Sequence, residues 1–171
     1  MAEHKDGFDG LTGLLNRRAL DEHGRTLFSD EHPPRALLAL FDIDHLKAIN
    51  DRYGHAAGDE VVRVVAGRLK DAVGEVATVA RAGGDEFAAL FRDTSPTEAQ
   101  ALLRAACRVI SLPPSGAGHG VTVTMSCGVA SSTTATSWPD LLGRADDTLY
   151  DAKRLGGDRI CFYRGDEPNV E

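Results

Sequence analysis

Cysteine is scarce in this chain, with three among 171 residues, at Cys107, Cys127 and Cys161. They stand far apart in the sequence and in apolar settings. That argues against a zinc site or a disulfide framework, and for buried thiols in a reducing cytoplasm. The six histidines show no ligand spacing with cysteine or with one another. No apolar run approaches the ~18 residues of a membrane-spanning helix. The N-terminal stretch from Met1 to Asp6 lacks the apolar core of a signal peptide. No membrane partner is therefore expected. Positive charge is also short: 19 Lys and Arg against 26 Asp and Glu leave a net charge of −7. This balance excludes a broad nucleic-acid surface. Internal repeats and low-complexity tracts are absent. What remains is a length suited to one domain, which buries about 70% of its unfolded surface and needs no covalent staple.

The elements can be read from punctuation and periodicity. Asn16 is a candidate N-cap for a helix over 17–28, which His32-Pro33-Pro34 ends. A first strand is expected over 35–42. Leu46, Ile49 and Tyr53 repeat at helical spacing up to Gly54, and a long helix is expected over 58–73, with Val61, Val62, Val65 and Leu69 on one face. Two short apolar strands, 76–80 and 87–91, flank a Gly-Gly pair, a hairpin signal. Ser95-Pro96-Thr97-Glu98 is a capping box opening a helix to about 112. Pro113–Gly116 reads as a loop, 121–129 as one strand, and 131–136 as a polar loop. Ser137-Trp138-Pro139-Asp140 caps a last helix reaching 155, followed by a short strand over 159–163 and a mobile tail. Strands mixed with helices imply α/β layers around a mixed sheet.

Two acidic segments carry the chemistry. In Arg81-Ala82-Gly83-Gly84-Asp85-Glu86-Phe87, two carboxylates follow the glycines at once. A turn with so little bulk lets a large anion and its metal ions approach the backbone. Upstream, the apolar run Ala36–Phe41 ends in Asp42-Ile43-Asp44, where alternation puts both aspartates on one face. Mg²⁺ takes one or two carboxylates and keeps its other positions for water and phosphates. Either segment by itself is equally an ordinary solvated turn or strand end.

The chain resembles the GGDEF-domain diguanylate cyclases, which join two GTP molecules into cyclic di-GMP. The resemblance runs through Asp9–Arg18, Phe41–Asp51, Gly54–Asp59, the Gly83–Phe87 turn, Ser126–Ala130 and Arg144–Lys153. It implies a short tail over 1–8, a catalytic domain over 9–163 and a second tail over 164–171. The fold it implies is an α/β palm-like sheet of about five strands wrapped by helices, as in nucleotide cyclases and polymerases. It also implies that Asp42, the carbonyl of Ile43 and Asp85 bind Mg²⁺ or Mn²⁺, two ions per site, with Glu86 tied to activity. Lys47 and Lys153 would face the phosphates, together with backbone N–H groups near His45 and Leu46, where a helix begins. Those cations would locally reverse the field of an acidic protein. Asn50 and Asp59 would read guanine, whose N1–H and N2–H₂ donors adenine lacks. Without the resemblance, Asn50 reads as a helix-end cap and Asp59 as helix N-terminal charge. Asp44 reads as a structural acid and His55 as a structural hydrogen-bonder. Arg17 and Arg18 are either paired with the sheet's acids or catalytic.

The departures are specific. The family's product-inhibition site is an Arg-x-x-Asp, whose positions here hold Gly74 and Ala77, so that feedback site is expected to be absent. Gly157 stands where relatives carry a phosphate-binding arginine, a charge-assisted contact worth about 1.5–3 kcal/mol. Residues 1–8 are too short for a sensory domain. Two functions follow: an active cyclase, which requires a homodimer at least during catalysis, or a catalytically weak or inactive module that binds GTP or another protein.

Overall fold

The computed structural model describes residues 6–112 and 120–165. The elements are α1 (Arg17–Ser29), β1 (Ala36–Ile43), α2 (Leu46–Tyr53), α3 (His55–Val73), β2 (Ala77–Arg81), β3 (Glu86–Arg92), α4 (Pro96–Ala106), β4 (Ile110–Leu112), β5 (Val121–Val123), β6 (Met125–Ser131), α5 (Trp138–Arg154) and β7 (Ile160–Phe162). Five strands form the expected mixed sheet in the order β2-β3-β1-β6-β7, and β4 pairs with β5 alone. Among the five described strands of the large sheet, only the β6–β7 pair is parallel.

The central strand β1 is buried at every position, because helices cover both faces of the sheet. Leu37, Ala39, Phe41 and Ile43 join Phe87, Phe91, Cys127 and Val129 under α2, α3 and α4. Leu38 and Leu40 join Ala88, Leu90 and Ala130 under α1 and α5. A strand covered on both sides reads as one apolar run, and the period-2 alternation only assigns residues to faces. Counting along β1 from Leu38 and Leu40 places Asp42 on the α5 face, at the strand's end.

Three expected boundaries move. Helix α3 starts at His55, three residues before Gly58, with Gly54 as its N-cap. Helix α4 stops at Ala106 instead of near Leu112, and Cys107 caps it. The β-branched Ile110 is instead taken into β4, opposite Val123. The strand expected over 121–129 is broken at Thr124 into β5 and β6, because the Thr124 carbonyl accepts from Asp44 N–H at 2.9 Å. β6 then runs on to Ser131, and the polar loop after it contains a 3₁₀ turn at Ser132–Thr134. The caps Asn16, Ser95 and Ser137 all accept from backbone N–H groups as expected. The loop read at 113–116 and most of the expected C-terminal tail lie outside the described residues.

The cysteines also differ from expectation. Cys127 and Cys161 are buried, whereas Cys107 is only half-buried. Distance in sequence misled here, since Cys107 packs against the same core cluster that contains Cys127.

Candidate active site

The site forms where β1, β3 and β6 end together. Asp42 lies opposite Glu86 on β3 and Ser126 on β6, and opposed residues share a face. Helix α5 presses onto that face at Gly128, where a Cβ would lie 2.2 Å from the backbone N of Leu149. The close approach brings Lys153, in the last turn of α5, down to Asp42, and its Nζ donates to Asp42 Oδ2. Asp42 is 6% exposed, and its Oδ1 is buried with no hydrogen-bond partner. The Asp85 carboxyl lies near enough for its charge to act on the same group. Burial pushes the Asp42 carboxyl up, Lys153 pulls it back, and the charge of Asp85 adds to the rise, to about 6.

A buried carboxylate oxygen without a donor, beside a second carboxylate, is an arrangement that a divalent cation relieves. Among the described residues no group of three or more His, Cys, Asp and Glu forms a metal cage. An ion here would therefore draw on Asp42, Asp85 and the Ile43 carbonyl. The other positions would stay open to water and phosphate, the habit of Mg²⁺. Backbone pairing keeps this set together, because Ile43 N–H donates to the Asp85 carbonyl at 3.1 Å.

The Gly-Gly turn is held from outside. Arg81 Nε donates to the Gly83 carbonyl at 3.0 Å and its Nη2 to the Gly84 carbonyl at 2.8 Å, while its Nη1 bonds both oxygens of Asp9. Asp9 also accepts from the N–H and hydroxyl of Thr12. Burial opposes the charged Asp9, but these bonds and the Arg81 guanidinium outweigh it and hold its carboxyl below the usual range. Neither turn glycine has positive φ. Their contribution is therefore lack of bulk: a Cβ on Gly84 would meet nothing within 4 Å, so this point of the turn faces open space.

Asp44 is a structural acid. It accepts from Thr124 Oγ1 at 2.7 Å, Ser126 Oγ at 2.6 Å and Asp158 N–H at 2.9 Å. His45 then adopts a left-handed conformation, φ 60°, and starts α2 without a side-chain cap. The first N–H groups of α2, from Leu46 onward, thus lack a side-chain acceptor. Lys47 is exposed in that first turn and has no ion pair among the described residues. One helix turn on, Asn50 Oδ1 is buried and unpartnered. It lies over Gly58 of α3, where a Cβ would meet it at 1.7 Å. Asp59 follows, exposed and beyond the first turn of α3, which carries no acidic residue. The helix-charge account of Asp59 therefore fails, since that effect fades within the first turn.

Other expectations need correction. Arg17 and Arg18 do not pair with the sheet's acids. Arg17 bonds Asp21 and Arg18 meets Asp6 and Glu22, because α1 presents its own acids four residues on. Arg17 also lines a cavity of about 230 Å³ with Glu86 and Asp146. His55 is exposed and makes no side-chain hydrogen bond among the described residues, unlike the structural hydrogen-bonder expected; it opens α3. Gly157 has φ +74°, and a Cβ there would sit 3.1 Å from the Asp44 carboxylate. An arginine at 157 would start from strained backbone, aimed at Asp44. Arg81, Gly58 and Gly128 position the site, yet sequence reasoning gave them no role. For Gly58 and Gly128 the signal was a small residue inside an element.

The sequence profile described as "Diguanylate cyclase, GGDEF domain" matches residues 7–159. A Mycobacterium tuberculosis protein is 40% identical over 97% of this chain and 26% of its own length. Diguanylate cyclase DgcP of Pseudomonas aeruginosa is 38% identical over 89% of this chain and 23% of its own. The chain thus spans about a quarter of the length of these curated relatives. The crystal structure of the DgcB GGDEF domain from Caulobacter crescentus, in complex with c-di-GMP, superposes with a TM-score of 0.89. That domain is 31% identical, with 96% of this chain and 97% of that one covered.

Proposed function

Because the chain belongs to the GGDEF-domain diguanylate cyclase family, we propose that it condenses two GTP into cyclic di-GMP and two pyrophosphates. In each half-reaction a 3′-hydroxyl oxygen attacks the α-phosphorus of the other GTP. The bond from that phosphorus to the bridging β-phosphate oxygen breaks, and the hydroxyl proton leaves. One bound GTP cannot present its 3′-hydroxyl to its own α-phosphate in this sense, so two domains must face each other as a homodimer. Asp42, Asp85 and the Ile43 carbonyl would hold the Mg²⁺ or Mn²⁺, two ions per site. When bound, these ions acidify the attacking hydroxyl and neutralise the leaving pyrophosphate.

The chain's own groups do the rest. Glu86 lies opposite Asp42 on the reacting face. Lys47 and the N-terminal N–H groups of α2 draw the phosphates, and Lys153 adds its charge from α5. Asn50 and Asp59 read the base. The observation that carries this reading is the buried, donor-less Asp42 oxygen beside Asp85. A weaker reading, a GTP-binding or protein-interaction module, is favoured only by Gly157, which supplies no guanidinium to the phosphates. Chromatography of products from GTP and Mg²⁺ separates the two. Asp85→Ala should abolish cyclic di-GMP formation with the melting temperature retained. Wild-type turnover by that variant would refute the metal assignment.

A further inference from the structure

Helix α4 ends on Cys107, the residue that caps it, with its N–H bonded to the Leu103 carbonyl at 2.8 Å. This thiol is half-buried and lines an opening of about 270 Å³ with Gln100, Arg104, Arg159 and Ile160. Ile160 is the register partner of Cys127 on β6, so the opening leads to the strand position beside Cys127. Cys127 itself is fully buried in the core cluster against which Cys107 packs, and Cys107 is the neighbouring group that acts most on its thiol. Cys161 is excluded from this pair by the pleat. Its register partner is Gly128, one residue on, so its side chain leaves the opposite face of the sheet. Neither thiol has a part in the chemistry proposed above.

We propose that Cys107 and Cys127 are a redox-responsive pair, joined as a disulfide when the protein meets a hydroperoxide. The half-exposed thiol meets the oxidant first. Cys107 attacks the peroxide, the O–O bond breaks, and a sulfenic acid and one water form. The Cys127 sulfur then attacks the Cys107 sulfur, the S–O bond breaks, and the second water leaves with the Cys127 proton. Two thiols and one hydrogen peroxide thus give one disulfide and two waters. Burial holds Cys127 protonated, well above the ordinary thiol range, and the neighbouring Cys107 acts in the same direction. Cys127 is therefore shielded from direct oxidation and serves as the resolving thiol. The bond would staple the end of α4 to β6, one residue from Ser126, which donates to Asp44.

The test uses the full chain, reduced and then treated with a small excess of hydrogen peroxide. Expected are a mass loss of two hydrogens, a fall from three free thiols to one, and a Cys107–Cys127 linked peptide in the digest. The unfolding temperature of the oxidised form should rise by roughly 5 °C or more, and dithiothreitol should reverse all of this. Cys161→Ser should behave as the wild type, and Cys107→Ser should keep its mass and lose the response. Linkage through Cys161, bonds between chains only, or oxygen addition at Cys107 without a linked peptide would each overturn the proposal. Because Cys107 is half-exposed and Cys161 lies outside the pair, these variants test it even where Cys127→Ser fails to fold.

Discussion

Gly58→Ala isolates base recognition without touching a charge. Asn50 Oδ1 is buried and has no hydrogen-bond donor. An alanine at 58 would place its Cβ 1.7 Å from that oxygen and 2.8 Å from Cγ. Ordinary heavy-atom contact needs about 3.5–4.0 Å, so the carboxamide has to retreat by roughly 2 Å. That displacement breaks a hydrogen bond to the base edge, a loss of about 1–1.5 kcal/mol, or roughly tenfold in Kd. Fold stability should change little. Replacing glycine by alanine inside a helix contributes about 1 kcal/mol, which offsets the repacking of one side-chain tip. Calorimetric titration with a non-hydrolysable GTP analogue measures the first quantity and thermal melting the second. Binding of the corresponding ATP analogue should hardly move. A variant that melts like the wild type and binds the GTP analogue equally well would show that Asn50 does not read guanine.

Stability should also report the site's carboxylates. The folded Asp42 carboxyl is raised to about 6 from an ordinary value of 3.8. Its contribution is thus complete below pH 3.8 and is lost as the pH rises through 6, on the order of 3 kcal/mol. Mg²⁺ should reverse that loss, so the melting temperature gained on adding Mg²⁺ should be small at pH 5 and larger at pH 7.5; an equal gain at both would separate the ion from Asp42. Asp9 has the opposite sign: its lowered carboxyl stabilises above the ordinary carboxylate range, and that support disappears as the pH falls through its folded value. Asp9→Asn should therefore flatten the acid limb of the stability curve, as followed by denaturant melts from pH 3 to 7. Gly157→Arg should lower the melting temperature, since a side chain at φ +74° costs about 1–2 kcal/mol, and it should bring no tighter GTP binding. Tenfold tighter binding by this variant would mean that position 157 reaches the phosphates after all.

Much of the architecture was legible because local chemistry and tertiary position agree. Asn16, Ser95 and Ser137 are caps by residue type and caps in the fold. The apolar run Ala36–Phe41 is buried on both faces and becomes the central strand. The acidic ends of β1 and β3 could be paired on paper, and the register places Asp42 opposite Glu86. What was not legible depends on contacts between distant segments. The stop of α4 is set by Ile110 finding Val123, and the break at Thr124 by Asp44. No periodicity at 104–112 or 121–129 contains that information.

The same distinction applies at Gly157. Its identity against the expected arginine is a sequence fact, and the inference of a missing phosphate contact treats the position as an empty socket. In the fold the socket is not empty. Gly156, Gly157 and Asp158 all take positive φ, and this winding delivers the Asp158 N–H to Asp44 at 2.9 Å. Asp44 in turn binds Thr124 and Ser126, which fixes the end of β6 beside Asp42. The glycines after α5 thus hold the floor of the site through Asp44, a role the missing side chain makes possible. If the chain makes cyclic di-GMP, phosphate charge has to be met by Lys47, Lys153 and the open end of α2. Lys153→Ala should then cost more than a single lysine usually does. It would remove one of the phosphate-facing cations and leave Asp42 buried beside Asp85 without its partner.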